Sequence, residues 1–418
     1  MKKITSVFLM VCMLIVLATP NVHAFSDVKI NQEQGRAIES LAVQGIINGY
    51  MDGTFKPNDI VTRGQVAKMI SIASNLDLQN VKDPRFTDVS TTHPFYNYIA
   101  VIANMKIING NDGKYKPNDK LTKGQLSKIL VNAFDLRGGT PSPFKDANKS
   151  SFKEYIDILY HNSIINGLTK NENEYGVNDP VTRGQLATFI HRAQKKSNPN
   201  ILNGEWNGHY FQINGDKTSL NLIIDQEIGV FTFTDSKGVT GVNVGKVNYD
   251  SNTGIFSVKD KKWYNKPNDY TLNDWEGVLT PNKYLAGFTI NNGDVRTFEL
   301  QNVKSYPEDI SVYLDGEWTG TADSKTDGNQ SAKYSFNNVS GTYEFGPTKK
   351  SPSIPIGSYE VTLELSESGL FNIVPGKWIN QPSNYISTNG TAVISNTNYI
   401  LGYRGNDVNR RFLVQKME

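Results

Sequence analysis

A short motif, Thr-[Arg/Lys]-Gly-Gln, occurs three times in the first half of the chain at a constant spacing. Its basic residue is Arg63, Lys123 or Arg183, so successive copies lie 60 residues apart. An Ile-Ile-Asn-Gly segment precedes each motif and ends at residue 49, 110 or 167, and a Phe-x-Asp segment further upstream begins at residue 25, 86 or 144. Recurrence at a fixed period is typical of repeat architectures, in which each copy buries its apolar face against its neighbours. The first half is therefore predicted to be an array of three similar units.

Each unit is predicted to form two short helices separated by an irregular loop. The first helix has apolar residues at helical spacing, for example Ile38, Leu41 and Ala42 in copy one. In the second helix the Thr of the motif is a natural N-cap, and the Gln three residues later completes a capping box. The predicted pairs are Thr62 with Gln65, Thr122 with Gln125 and Thr182 with Gln185. We place the three units at residues 25–80, 86–137 and 144–196.

The basic residue of the motif stands where a helix disfavours a cation. It occupies the first helical position, where the helix dipole prefers an anion by up to ~1 kcal/mol. Its presence in every copy requires a local benefit. An anionic ligand held at unpaired N–H groups of the helix start would supply one. A salt bridge joining one copy to the next, or a simply solvated side chain, is the alternative.

The order of these segments resembles the S-layer homology (SLH) module over residues 25–196. The motif departs from the usual Ile-Thr-Arg-Ala-Glu ending, since Gly-Gln replaces Ala-Glu in every copy and Lys123 replaces the usual Arg in copy two. The resemblance implies an all-α bundle of three copies with pseudo-threefold symmetry and ligand grooves between neighbouring copies. It also implies non-covalent retention on a Gram-positive wall through secondary cell-wall polysaccharide, whose pyruvate ketal carries a carboxylate.

By that resemblance, Arg63, Lys123 and Arg183 are the charged polysaccharide contacts. Further candidates are Asp27, Asp88, Asp146, Gly53 and Gly113. The three aspartates could instead cap the first helices or tie the copies together, and the two glycines could serve turn geometry alone. Gly53 and Gly113 each follow an aspartate in the loop between the two predicted helices of their copy. Copy three has no Asp-Gly pair in its loop, so we expect its ligand groove to be the weakest.

The first 24 residues predict a secretory signal peptide. They combine the basic start Lys2-Lys3, an apolar run from Ile4 to Ala18 and small residues before Phe25, which is the expected mature start. Cys12, the only cysteine, lies within this segment, so the mature chain is expected to have no thiol, no disulfide and no cysteine metal ligand. Separately, no cofactor and no membrane span are expected in the mature chain. Residues 25–196 carry 22 Lys and Arg against 17 Asp and Glu, which suits an anionic polymer, and nothing indicates nucleic-acid binding.

The second half predicts two copies of one antiparallel β domain, a barrel or a sandwich, at residues 201–304 and 313–418. Short alternating runs replace the helical pattern, and Asn291 to Asp294 is a tight-turn candidate. The segment Leu202 to Gly208 matches Leu314 to Gly320, and Lys262 to Pro267 matches Lys377 to Pro382. The resemblance of this half to secreted bacterial β-barrel domains is loose.

Two kinds of site are considered in the β domains. Trp263, Tyr264 and Trp378 are candidates for stacking on sugar rings, with burial in the core as the alternative. Asp274 and Glu276 flank Trp275 and could form a glycosidase-like pair, although copy two has no equivalent pair.

The sequence therefore predicts a secreted, non-enzymatic surface protein of the cell wall or S-layer of a Gram-positive bacterium. Its β domains would bind other surface proteins or glycans, or play a structural part. The alternative is an SLH-anchored wall-active hydrolase or carbohydrate-binding protein whose activity lies in the β domains.

Overall fold

The computed structural model describes most of the chain from Phe25 onward. The described residues are 25–165, 173–198, 200–211, 216–268, 270–281, 283–291, 294–302, 314–324, 328–337, 339–348, 351–366, 368, 370–383, 385–405 and 410–417. The predicted signal peptide, Gly167 and the middle of the predicted turn at 291–294 lie outside these residues.

The described part of the first half contains two α-helices in each copy. They are α1 (Glu33–Val43), α2 (Arg63–Ala73), α3 (Tyr96–Asn104), α4 (Lys123–Ala133), α5 (Lys153–His161) and α6 (Arg183–Ser197), with a 3₁₀ turn at Ala147–Lys149. The three predicted capping boxes are confirmed at the starts of α2, α4 and α6. No side chain caps α1, α3 or α5.

The three copies close into a ring. The second helix of each copy packs on the first helix of the next, as α2 on α3, α4 on α5 and α6 on α1. At the centre, Val61 N donates to Val181 O at 3.0 Å, Val181 N to Leu121 O at 2.9 Å and Leu121 N to Val61 O at 3.4 Å. These three side chains are fully buried, and one hydrophobic core runs through all copies. The predicted pseudo-threefold all-α bundle is confirmed.

The second half forms two closed barrels of eight antiparallel strands, so the barrel prediction is confirmed and the sandwich alternative was wrong. The first barrel comprises β1 (Gly204–Phe211), β2 (Lys217–Asp225), β3 (Ile228–Thr234), β4 (Thr240–Asp250), β5 (Ile255–Asn265), β6 (Trp275–Leu279), β7 (Tyr284–Asn291) and β8 (Asp294–Asn302). The second comprises β9 (Gly316–Ser324), β10 (Gly328–Asn337), β11 (Ser340–Gly346), β12 (Gly357–Leu365), β13 (Leu370–Asn380), β14 (Gly390–Ile394), β15 (Tyr399–Arg404) and β16 (Arg411–Lys416).

The matching tryptophans of the duplicated opening segment close the cores of the two barrels. Trp206 Nε1 donates to Leu202 O at 2.9 Å, and Trp318 Nε1 donates to Leu314 O at 2.7 Å. Both indoles are buried with their polar atom satisfied, which is how a large aromatic contributes area without leaving an unpaired donor. The sequence duplication is therefore a structural duplication.

Each unit packs on the next through apolar contacts. Ile30 and Val43 of the helical ring meet Ile228, Val230 and Val244 of the first barrel. The two barrels meet through outward-facing side chains of β6 to β8 and of β14 and β15: Val278, Ala286, Phe288, Val295, Val393, Leu401 and Tyr403.

Candidate functional site

The basic residue of each motif donates hydrogen bonds to the loop of the next copy, and we call this contact the clamp. Arg63 Nε donates to the carbonyl of Tyr115 at 2.9 Å, and its Nη2 donates to Asn109 O at 3.4 Å. The guanidinium carbon also lies 4.8 Å from the centre of the Tyr115 ring, within reach of a cation–π contact. One residue of copy two therefore holds Arg63 with both its carbonyl and its ring.

The same contact recurs around the ring. Lys123 Nζ donates to the carbonyl of Tyr175 in copy three at 2.9 Å and lies 3.6 Å from Asp179 Oδ2. Arg183 Nε donates to the carbonyl of Phe55 in copy one at 2.9 Å, with the ring of Phe55 4.4 Å from the guanidinium carbon. Lys123 is only 4% exposed and Arg183 only 7%, whereas Arg63 is half-buried. The inter-copy tie considered for this residue is therefore present in every copy, though a salt bridge accompanies it only at Lys123 among the described residues.

The helix starts do not offer unpaired N–H groups, which corrects one premise of the anion-site prediction. In α2, Arg63 N donates to Asp119 O at 2.9 Å and Gly64 N donates to Pro117 O at 2.8 Å, both in the next copy. The next N–H, of Gln65, bonds to the Thr62 hydroxyl of the capping box. Equivalent bonds occur at α4 and α6. An anion at these helix starts would therefore have to be bound by side chains.

The Gly of the motif is explained by a close approach of the next copy. A Cβ on Gly64 would lie 2.6 Å from a ring carbon of Phe95, and one on Gly124 would lie 2.7 Å from a ring carbon of Phe152. At Gly184 the neighbour is the end of the Gln34 side chain, at 2.8 Å. In copies one and two, the departure from the usual Ala therefore follows from the aromatic residues that precede α3 and α5.

The three candidate aspartates tie the loop of their own copy, and the helix-cap role considered for them was wrong. Asp88 accepts the N–H groups of Tyr115 and Lys116 at 2.8 and 2.7 Å. Asp27 and Asp146 accept equivalent bonds from residues 55–56 and 175–177. None caps a first helix, and the bonds run within a copy. Burial would raise the pKa of Asp146, but three backbone N–H donors outweigh it and hold that pKa below its usual range.

Gly53 and Gly113 lie in exposed turns. Both have a left-handed backbone, with φ of 79° and 71°, and a Cβ at either position would meet nothing within 4 Å. Turn geometry is therefore sufficient to explain them. Beside Gly53 the ring of Tyr50 is 42% exposed and lies 4.2 Å from Lys56 Nζ.

A cleft of about 530 Å³ lies beside the loop of copy three. It is lined by residues 149–152 and 176–179 together with the candidate Asp146. The loop of copy three, which was expected to form the weakest groove, thus borders a cleft, and Lys149 contributes a positive charge to that cleft.

The residues that bind Arg63, Lys123 and Arg183 were not among the candidates predicted from the sequence. Phe55, Tyr115 and Tyr175 supply both the carbonyl and the ring. Their own spacing of 60 residues was the available signal, because an aromatic side chain recurs at that position in all copies.

The aromatic candidates of the β domains are half-buried and held by neighbours. Trp263 packs against Phe233 with ring centres 6.0 Å apart, and Trp378 packs against Tyr359 at 5.0 Å. The hydroxyl of Tyr264 donates to Glu39 of α1, so this side chain joins the first barrel to the helical ring.

The carboxylate candidates line a cleft of about 500 Å³ at the boundary of the two barrels. Glu276 accepts two bonds from Arg411 of the second barrel, at 2.7 and 2.9 Å, and a third from the Tyr403 hydroxyl at 3.2 Å. Asp274 is exposed at the other side of Trp275. Among the described residues no cluster of His, Cys, Asp and Glu suits a metal ion, and no described helix could span a membrane.

Comparison with known protein families agrees with the three-copy organisation of the first half. Residues 24–67, 85–127 and 143–187 match the S-layer homology domain. The chain therefore carries three S-layer homology domains, followed by two closed barrels.

The relatives of this chain include surface-layer proteins. The surface-layer 125 kDa protein of Lysinibacillus sphaericus is 33% identical over 169 residues, which is 39% of this chain and 14% of the relative. The S-layer protein of Bacillus thuringiensis subsp. finitimus is 29% identical over 41% of this chain and 21% of its own length. An amylopullulanase of Thermoanaerobacterium thermosulfurigenes is 27% identical over 41% of this chain and 10% of its own length. The aligned part is thus at most about a fifth of these relatives. Together these matches indicate a cell-wall or S-layer surface protein of a Gram-positive bacterium.

Proposed function

We propose that the helical ring anchors this protein non-covalently to secondary cell-wall polysaccharide and that the barrels are displayed on the surface as binding or structural modules. The observation that supports this most is the set of three S-layer homology domains closed into one ring. Three equivalent loops on one rigid body can engage successive units of a repeating polymer. Modest sites then give firm retention because the second and third contacts form at high effective concentration.

We propose Arg63 as the first charged contact for a carboxylate of the polymer, such as a pyruvate ketal. Its side chain is half-buried, whereas Lys123 and Arg183 are almost enclosed. The described bonds of Arg63 use Nε and Nη2, so a carboxylate would meet the guanidinium at Nη1. The exposed cation Lys116 follows Tyr115 in the same loop and could strengthen such a contact.

A wall-active hydrolase is less well supported. A catalytic acid must change its protonation and reach the substrate, yet Glu276 is held by Arg411 and Tyr403 across the barrel boundary. An ion pair that joins the two barrels accounts for this carboxylate. We therefore propose that the β domains have no hydrolytic role.

Co-sedimentation with purified Gram-positive walls tests the anchor. The chain from residue 25 onward should pellet with walls that retain secondary polysaccharide and stay in solution with stripped walls. Arg63→Gln keeps a side-chain N–H for the Tyr115 carbonyl but removes the charge, so we expect affinity to fall by about tenfold or more, the loss of one charge-assisted contact. Lys68→Gln, on the same helix, is the matched control and should pellet like the parent.

Two results would contradict the proposal. Equal pelleting with intact and stripped walls would exclude the polysaccharide as the receptor. Unchanged affinity in Arg63→Gln, with the parent still dependent on polysaccharide, would leave the anchor in place but reduce the clamp to a structural element.

A further inference from the structure

The first barrel contains a cavity at one end that the anchor does not use. Its volume is about 220 Å³, and its walls come from β1, β3, β4, β5, β6, β7 and β8 with the segment that follows β5. It lies at the end of the barrel where Trp263 and Tyr270 are found. Ligand sites for drug-sized molecules usually span ~300–1,000 Å³, so this cavity fits a smaller molecule.

Three buried polar atoms at this cavity have no hydrogen-bond partner. They are Asn243 Oδ1, Thr289 Oγ1 and Arg296 Nε. Asn243 is 7% exposed and Thr289 is 2% exposed, and Thr289 faces Arg296 across the β7–β8 pair. Buried polar atoms are nearly always satisfied because leaving one unpaired is costly. Three such atoms around one cavity leave hydrogen bonds that a bound molecule would complete.

The charge of the cavity selects an anion. Lys261 and Arg296 line it, and the described lining residues include no Asp or Glu. Lys261 Nζ lies 4.4 Å from the ring centre of Phe231 and 4.6 Å from that of Trp275. Burial lowers the pKa of Lys261 well below its ordinary value, and the nearby Asp274 only partly opposes this. A bound anion would return a counter-charge to this ammonium group.

The remaining wall is aromatic and flat. Phe233 stacks on Tyr270 with ring centres 5.0 Å apart and lies edge-on to Trp263 at 6.0 Å. Such rings bind the flat face of another ring, whether an aromatic ring or the apolar face of a sugar. The cavity therefore combines a cationic, hydrogen-bonding side with a ring-binding side.

The second barrel lacks this combination at the same place. Sequence alignment of the duplicated domains sets Gly376 opposite Lys261 and Arg404 opposite Thr289. Arg404 reaches back into its own barrel, 4.9 Å from the ring centre of Tyr343, and donates to Gln330 Oε1 at 3.2 Å. In the second barrel the side chain of Arg404 thus occupies this position, whereas in the first barrel the position remains open.

We propose that the first barrel binds a small carboxylate carried on a ring, with Lys261 and Arg296 holding the carboxylate and Trp263 and Tyr270 holding the ring. Asn243 and Thr289 complete the hydrogen bonds. The shared chemistry is met by an aromatic acid or by a sugar acid. This site is independent of the wall anchor, so either proposal can fail alone.

Calorimetric titration of the chain from residue 25 onward tests the site. Benzoate and glucuronate are the two acid probes, and benzyl alcohol and glucose are their neutral counterparts. We expect one acid to bind with one-to-one stoichiometry at least tenfold more tightly than its neutral counterpart. Arg296→Met and Lys261→Met should each weaken it at least tenfold, whereas Lys333→Met on the outside of the second barrel should leave binding unchanged.

Circular dichroism and thermal melting establish that the variants fold. Thr289→Val, which is nearly isosteric, is a milder second probe and should weaken acid binding several-fold without altering the barrel. The proposal is overturned when neither acid binds, when acid and neutral probe bind equally, or when folded Arg296→Met and Thr289→Val bind as the parent does. The first of these results means that solvent alone fills the cavity.

Discussion

At the scale of single residues, the basic residue that begins α2, α4 or α6 has an unfavourable interaction with the helix dipole, which its contact with the next copy offsets. The helix dipole disfavours it by up to ~1 kcal/mol. A hydrogen bond from a charged donor contributes about 1.5–3 kcal/mol. Arg63 makes such a bond to Tyr115 O, with a cation–π contact to the same residue. The clamp alone therefore outweighs the penalty, so ligand binding needs its own evidence.

A second residue-scale feature is the buried carboxyl of Glu39, which should make stability depend on pH. Burial raises its pKa from 4.5 to about 7, although bonds from Tyr264 and Phe25 N lower it in part. Between these values the unfolded chain is ionised while the folded protein keeps the proton, so stability falls as pH rises from 4.5 to 7. The pKa difference corresponds to ~3 kcal/mol at pH 7. Glu39→Gln should flatten the slope, as measured by urea unfolding across this range.

The Phe25 nitrogen provides the control for this prediction. It lies 3.1 Å from Glu39 Oε1. In a chain with an added residue before Phe25 this nitrogen is an amide, and the full slope should appear. In a chain that starts at Phe25 it is an ammonium group, which pairs with the carboxylate and should reduce the slope. Identical slopes in these two chains and in Glu39→Gln would contradict the assignment.

At the scale of secondary-structure elements, the glycines of the motif should respond unequally to alanine. Ala favours a helix over Gly by ~1 kcal/mol, but an added methyl in a packed site costs ~1–3 kcal/mol. In Gly64→Ala the methyl group meets the Phe95 ring and Pro117 O, whereas in Gly184→Ala it meets the flexible end of Gln34. We expect Gly64→Ala to lower the free energy of unfolding and Gly184→Ala to be neutral or stabilising.

Urea denaturation of the two variants measures this difference. Gly124→Ala is the matched third case, because its methyl group would meet Phe152 and Val177, and it should behave like Gly64→Ala. Equal effects at all three positions would mean that helix propensity, not the contact with the next copy, governs these sites.

The elements also show which features a sequence can predict. Capping boxes depend on residues three positions apart, so Thr62 and Gln65 were sufficient to predict the start of α2. Alternating strands and a duplicated Trp motif likewise predicted two β domains. The partners of Arg63 and Asp88 were not predictable in this way, because they lie 52 and 27 residues away on a loop without regular structure. The partner of Arg63 also depends on the head-to-tail closure of the ring, whereas the bond of Asp88 lies within copy two.

At the scale of the whole molecule, the helical ring and the first barrel share an ion cluster that no sequence pattern predicted. Asp225, at the end of β2, accepts bonds from His191 at 3.1 Å, Lys195 at 2.7 Å and Arg36 at 3.2 Å. Burial would raise the pKa of Asp225, but His191 and Lys195 outweigh it and hold the pKa far below its usual range. The ionised Asp225 therefore stabilises the folded protein at pH values above the unfolded pKa of ~3.9, and this stabilisation is lost as the pH falls below that value.

Removing the charge of Asp225 should uncouple the two units. Breaking a buried ion pair from one side costs ~3–5 kcal/mol because the partner cations stay behind. In calorimetric melting we expect the ring and the first barrel of the parent to unfold in one transition and those of Asp225→Asn to unfold in two. Glu276→Gln is the matched control, since Glu276 pairs with Arg411 at the other boundary. In this variant the second barrel should unfold in a separate transition, while the ring and the first barrel still unfold together. A single unchanged transition in both variants would contradict the role of these ion pairs.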